Sequence, residues 1–377
     1  LNRLLILYDY FDPAYKAGGP IRSLVNLVKV LEEQMDIHIL SSDRDHDGTA
    51  LKVESDRWIA YGKRSKVQYL SVARQNRQYI SKIIREVDAD VIYVNGIYSL
   101  PFAAIPLRLL RGLHNVKKVI APRGMLQKEP LSIKPFKKRM YVYLFRWLCL
   151  SRDTLWHVTT LQEETDLMVA GVGARHVQLI GNVPAFNADY SAEQRRRGTP
   201  LKFGTVALIS PMKNILLVLA NLKKFTCNIE YHLYGPVKDK SYWQQCGRMI
   251  EEMPRNIAVR YHGEIVPQQV AEKIAALDYY IQPSRSENFG HSIFEAFNQG
   301  VPVIISDQTP WKSLQKKCAG WDVDLKDNQN LLAAMRDAID LNDIKYESYC
   351  LGARQMAVDY MDSRNLTEDY LRLFSTS

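Results

Sequence analysis

The stretch YYIQPSRSENFGHSIFEAFNQGVPVIISD, residues 279–307, reads as one strand–helix–strand unit. "YYIQPS" (279–284) and "VPVIISD" (301–307) are short apolar runs with the length and composition of strands buried on both faces. The segment between them carries a helix that ends at a Gly-Val-Pro break. Two strands joined through a helix run parallel. Two glutamates eight apart, Glu287 and Glu295, sit in this unit. Their spacing alone says little, since at ordinary Glu usage a chain of this length holds about one such pair by chance.

Working outward, the same alternation covers almost the whole chain. Before this unit come "KFGTVALI" (202–209), "IEYHLYG" (229–235) and "IAVRYHG" (257–263), separated by helices. An earlier series holds "LLILYD" (4–9), "IHIL" (37–40), "VQYLS" (67–71), "DVIYVNG" (90–96), "KVIAPRG" (118–124), "LWHVTT" (155–160) and "VQLIG" (177–181). Helical stretches lie at 20–34, 75–87, 99–113, 135–150 and 161–170, and three more close the chain at 328–341, 344–360 and 365–374. The pattern breaks at "NVPAFNADYSAEQRRRGTP" (182–200), with two prolines and an Arg triplet. The expectation is two doubly wound α/β domains in tandem: a first over 1–183, a linker over 184–200 and a second over 201–360. A terminal helix at about 361–377 is expected to pack back onto the first domain.

The 377 residues suffice for two cores. No apolar run reaches the roughly 18–20 residues that span a bilayer, and the opening "LNRLLILYDY" reads as a strand rather than a secretory signal. Five scattered cysteines without a C-x-x-C pair imply reduced thiols, a cytoplasmic setting and no zinc site. The net charge of +9 is local: residues 101–150 carry eleven Lys/Arg against one acid, Glu129.

Open parallel sheets bind ligands beyond the carboxyl ends of their strands, so the loops there are the candidate sites. After "YYIQPS", Ser286 or Asn288 is placed to cap the helix, and Gly290 allows close backbone approach. The helix start suits an anion. Glu287 in the loop and Glu295 two turns on reach two points of an elongated ligand, and a carboxylate is a good acceptor for a vicinal diol. In "ISPMKN" (209–214), Lys213 stands at a helix start as a point charge for phosphate. In "FDPAYKAGGPIRSL" (11–24), Gly18 and Gly19 offer bare backbone before Pro20 opens a helix. This is not G-x-G-x-x-G, which disfavours a nicotinamide cofactor.

Taken together, residues 283–304, with "APRGML" (121–126), "SPMKN", "LYGP" (233–236) and "YHGEI" (261–265), resemble glycosyltransferase family 4 and its E-x7-E signature. The resemblance implies a GT-B fold, two Rossmann-like domains with the donor cleft between them. It also implies a nucleotide-sugar donor, transfer with retention of configuration, and no metal or other cofactor. Carried over by position, Glu287 would hold hydroxyls of the transferred sugar and Glu295 the ribose diol. Lys213 would neutralise the diphosphate, assisted by the amides of Phe289, Gly290, His291 and Ser292, with Asn288 a further donor-binding residue. Gly18 and Gly19 would approach the donor, and Gly235, Gly263 and Glu264 would surround the base. Two positions depart from the pattern. Leu208 stands where an arginine is common, with Arg285 and Arg22 as candidate substitutes. Arg123 stands where many members have histidine, and is a candidate catalytic group.

In "KPFKKRMYVYLFRWLCL" (134–150), Phe136, Met140, Leu144, Trp147 and Leu148 recur at helical spacing behind a basic start. Such a helix suits an anionic membrane surface, a core position being the other reading. No recognition motif for nucleic acid accompanies the charge. The functional expectation is a retaining hexosyltransferase serving a lipid-linked glycan acceptor in surface-polysaccharide biosynthesis, peripheral to the inner face of the plasma membrane. The alternatives are a nucleotide-sugar 2-epimerase and a silent sugar-nucleotide-binding scaffold.

Overall fold

The computed structural model describes residues 2–16, 18–111, 113, 115–127, 135–148, 153–188 and 195–376, without the side chains of Pro135, Lys137, Lys138, Arg139 and Asn328. Lys134, Cys149 and Leu150 of the basic segment therefore lie outside the described residues. The chain divides into two compact units, Leu1–Val183 with Asn365–Ser377, and Pro184–Arg364.

The first unit is an eight-stranded sheet in the order β3-β4-β2-β1-β5-β6-β7-β8. Its strands are β1 (Arg3–Leu7), β2 (Asp36–Ser42), β3 (Trp58–Tyr61), β4 (Ser65–Leu70), β5 (Val91–Asn95), β6 (Lys117–Ala121), β7 (Leu155–Val158) and β8 (His176–Leu179). All neighbours are parallel except β3 and β4. Its helices are α1 (Gly19–Leu31), α2 (Arg77–Val87), α3 (Ile105–Leu109), α4 (Pro135–Trp147), α5 (Leu161–Ala170) and, from the far end of the chain, α12 (Leu366–Leu373). The central strands are continuously buried, β5 at every position, because helices cover both faces. The pattern reading missed β3, a four-residue edge strand whose positions are half-buried or exposed and so carry no apolar run. It also expected one helix over 99–113. Instead Leu100–Ala104 forms a π-helical turn before α3, since Pro101 and Pro106 each remove an amide from the α-helical ladder.

The second unit is an all-parallel six-stranded sheet, β11-β10-β9-β12-β13-β14. These are β9 (Leu201–Val206), β10 (Ile229–Tyr234), β11 (Ile257–Tyr261), β12 (Tyr279–Gln282), β13 (Val303–Ser306) and β14 (Gly320–Val323). Covering helices are α6 (Ile215–Leu222), α7 (Lys240–Glu251), α8 (Val270–Ala275), α9 (His291–Asn298), α10 (Asn328–Ile339) and α11 (Asp343–Asp362). The strand β14 was not expected, because "GWDV" is short and begins with glycine. That glycine is what permits the pairing: Gly320 has φ +144°, and a Cβ there would collide with the Val303 carbonyl of β13. From β9 the chain adds β10 and β11 on one side and then β12, β13 and β14 on the other, which makes the carboxyl ends of β9 and β12 the switch point where such sheets form crevices.

Within the second unit the segment before β9 is tied down by arginines. Arg195 donates to the carbonyls of Ala275 (2.8 Å) and Gln299 (3.3 Å), and Arg197 to that of Ile339 (2.9 Å). These bonds satisfy C-terminal carbonyls of α8, α9 and α10. Within the first unit, Tyr370 and Phe374 are fully buried against His157 and Tyr93, so the last helix fills part of that unit's core.

Candidate functional site

Three loops of the second unit leave the carboxyl ends of the adjacent strands β10, β9 and β12. The loop after β9 runs to a short 3-10 turn, Pro211–Lys213, which ends at Asn214 in the left-handed region (φ +56°). Lys213 thus belongs to this turn and not to α6, which starts at Ile215. The loop after β12 is joined to the same turn: the Arg285 amide donates to the Met212 carbonyl at 2.9 Å.

Lys213 and Glu287, widely separated in sequence, form an ion pair through Glu287 Oε1, and both side chains are largely withdrawn from solvent. The same oxygen accepts from Gln282 Nε2 (2.8 Å) and Ser284 Oγ (2.9 Å). Three donors therefore converge on one carboxylate oxygen and fix its position, each worth more because the acceptor is charged. Gln282 is itself oriented: its Oε1 accepts from Tyr280 Oη (2.5 Å) and Ser292 Oγ (3.2 Å). A relay thus runs from the interior of β12 to Glu287. Sequence reasoning did not single out Tyr280, Gln282 or Ser284. The available signal was a glutamine at the end of an otherwise apolar strand run.

The cap of α9 differs from the expectation. Neither Ser286 nor Asn288 caps it; Gly290 does, at φ +77°, with no side-chain cap. Intrahelical bonding begins with the Ile293 and Phe294 amides on the Gly290 carbonyl, so the His291 and Ser292 amides precede the ladder. The approach is rigid, because Trp311 Nε1 holds the Phe289 carbonyl (2.7 Å) and the Phe289 ring packs on Trp311, Phe294 and Tyr360. Glu295 lies inside α9 and is only 5% exposed.

Gly235 and Gly263 are brought together: the Gly235 amide donates to the Gly263 carbonyl at 2.7 Å. Gly235 is required by close packing, since a Cβ would overlap the Ala207 carbonyl. Next to them the rings of His232, Tyr234 and His262 stack, with His262 4.5 Å from Tyr234 and 5.2 Å from His232. Burial, as the largest cause, lowers both imidazole pKa values, which keeps this stack uncharged at neutral pH. Glu264 follows Gly263 on the surface.

In the first unit, Gly18 precedes α1 at φ +85° and Gly19 is its first residue. Arg123, after β6, was expected as a catalytic group, but its guanidinium is turned inward. It is 7% exposed and donates to Asn95 Oδ1 (2.6 Å), Asn182 Oδ1 (2.8 Å) and Tyr93 Oη (2.7 Å). Asn182 Oδ1 also accepts from Ser23 Oγ of α1 at 2.7 Å. Arg123 therefore braces α1 and the carboxyl ends of β5 and β6.

One helix surface stands apart. On α4, Phe136 (75% exposed), Met140, Tyr143 (66%), Leu144 and Trp147 (67%) face solvent, while Phe145 is buried and Tyr141 donates to the Ile97 carbonyl (2.5 Å). The apolar stripe is thus on the outside, except Leu148, which is half-buried. Among the described residues no helix is long and apolar enough to cross a membrane.

The chain has the fold of known structures. Sucrose-phosphate synthase from Thermosynechococcus elongatus superposes with a TM-score of 0.76 at 16% identity, and HepE from Anabaena, in complex with UDP-glucose, with 0.73 at 15%; both alignments cover the full length of each chain. This places the chain in the GT-B fold class, with two α/β units. Residues 187–354, nearly all of the second unit, match the family model for glycosyl transferases group 1. The O-antigen chain mannosyltransferase B of Escherichia coli is 32% identical over 119 residues, 30% of this chain, and the chain covers 29% of that relative's length.

Proposed function

We propose that the protein is a retaining glycosyltransferase of the family 4 type, which moves a hexosyl group from a nucleotide-sugar donor to a lipid-linked glycan in surface-polysaccharide assembly. The observation that carries this reading is the convergence of Lys213, Gln282 and Ser284 on Glu287 Oε1, beside the start of α9, in the unit that matches the group 1 model. The UDP-glucose bound by HepE and the O-antigen substrate named for the mannosyltransferase support the donor and acceptor classes.

In this reading the donor's base lies by the His232–Tyr234–His262 stack and by Gly235, Gly263 and Glu264, and Glu295 holds the ribose. The diphosphate meets Lys213 and the first amides of α9, and the sugar's hydroxyls meet Glu287. As the bond from C1 to the diphosphate oxygen breaks, its electron pair goes to the phosphate and positive character builds on the sugar. Fixed positive groups stabilise the phosphate charge as it develops. The acceptor oxygen bonds to C1 from the same face and its proton passes to the departing phosphate, so no metal is required. The exposed aromatic and methionine face of α4, in a segment whose sequence is basic, seats the enzyme on the cytoplasmic face of an anionic membrane, where a lipid-linked acceptor is presented.

The test is a thermal-shift screen of nucleotide sugars followed by turnover of the best binder with lipid-linked and soluble glycans. Stabilisation by one donor and acceptor-dependent release of nucleoside diphosphate are expected. Turnover without acceptor would indicate an epimerase or hydrolase, and binding without turnover a scaffold.

A further inference from the structure

The loop after β9, residues 207–214, carries one cation, Lys213, and Lys213 is shared with Glu287. The loop after β10 supplies a lysine. This loop is stitched to the loop after β9: the Ile209 amide donates to the Pro236 carbonyl (2.9 Å), and the amides of Lys238 and Asp239 both donate to the Ile209 carbonyl (3.1 and 3.2 Å). Ile209 and Val237 form a parallel bridge. The Lys213 amide in turn bonds the Ser210 carbonyl at 3.0 Å, so both lysines hang from one hydrogen-bonded platform. The next residue, Asp239, turns its carboxylate away to cap α7 through the Tyr242 amide (3.0 Å). Among the described residues no carboxylate pairs with Lys238.

We infer that Lys238 is a second cation of the donor's diphosphate subsite, supplied from the β10–α7 loop. This inference rests on the proposed glycosyltransferase reading and adds to it a binding group from a different strand. The surroundings of the amine agree. Lys238 is exposed as a residue, yet desolvation and then the charge of Lys213 lower its pKa. Lys213 is paired with Glu287 and Lys238 with no carboxylate among the described residues, so a bound dianion would meet two lysines carried on one hydrogen-bonded platform. Arg285 is anchored to the same turn through its backbone, and its guanidinium charge acts on Tyr242 in the first turn of α7.

The test is calorimetric titration of the full chain with UDP, GDP and ADP, and with uridine, guanosine and adenosine as uncharged controls. For the base that binds, Lys238→Ala and Lys238→Gln are each expected to weaken the diphosphate about fivefold to tenfold, the scale of a partly screened charged hydrogen bond. Both should leave the nucleoside within about twofold, and Lys238→Arg should keep most of the diphosphate affinity. An unchanged diphosphate affinity in both neutral variants, or an equal loss for diphosphate and nucleoside, overturns the inference while leaving the parent's function standing. A parent that binds none of the three diphosphates overturns the functional reading, and the inference with it.

Discussion

Glu287 gathers three donors on one oxygen, and its removal has two opposite effects. Glu287→Ala strips the sugar of its acceptor but releases the Lys213 ammonium for phosphate. Turnover is therefore expected to fall about a hundredfold or more, while affinity for free nucleoside diphosphate holds or rises. Calorimetry beside a turnover assay separates the two, and a parallel loss of both would sink the division of labour. Lys213→Ala should instead weaken donor turnover by about tenfold to a hundredfold. Another residue contributes to the acid response. His157 is fully buried in the first unit, bonded to Tyr93 Oη and the Ile180 carbonyl (both 2.9 Å), with its pKa lowered to about 3 by burial and then by the Arg123 charge. Its folded pKa lies below the unfolded one, so its stabilisation is complete above about pH 6.5 and fades as pH falls toward 3. His157→Gln should lower Tm at pH 7, with the gap to the parent narrowing by pH 4.5; a constant gap would count against this linkage. At this scale the sequence named Glu287 and Lys213, because motif and loop position mark them. It could not name Gln282 or Lys238, which matter only through bonds between distant segments.

The helix α4 shows what periodicity can and cannot tell. The spacing of Phe136, Met140, Leu144 and Trp147 predicts a stripe, and the structure puts that stripe outward with Phe145 as the anchor. Periodicity identifies two faces but not which one meets the core, since an aromatic stripe fits either. Tyr143→Asp with Trp147→Asp should abolish sedimentation with anionic phosphatidylglycerol vesicles at low salt and shift Tm by no more than about 2 °C, because both side chains are exposed. Phe145→Asp, which buries an unpaired charge, should destabilise the protein severely. Binding by the parent should weaken as salt rises past the range where the Debye length falls to about 10 Å. Unchanged sedimentation of the double variant would reassign the face. Strands β3 and β14 escaped the pattern because neither shows a buried apolar run: no position of β3 is fully buried, and β14 begins with Gly320 and carries Asp322.

For the molecule as a whole, the alternation of strands and helices made two parallel α/β sheets legible, because strands buried on both faces read as apolar runs. If the leaving phosphate is neutralised by lysines and amides alone, treatment with excess EDTA should leave turnover within about twofold, measured after dialysis into metal-free buffer. A loss restored by one added divalent ion would show that the leaving group needs more charge than the chain supplies.

The path of the chain carries a further consequence. The second unit is one continuous segment, whereas the first is closed by Asn365–Ser377. A ribosome therefore starts the first unit earliest and completes it last: Tyr93 and His157 wait for Tyr370 and Phe374 while residues 184–364 emerge and fold. Nascent chains arrested after residue 364 should resist protease over 184–364 and be cut within 1–183. Extending the arrested chain past 374, clear of the exit tunnel, should protect both.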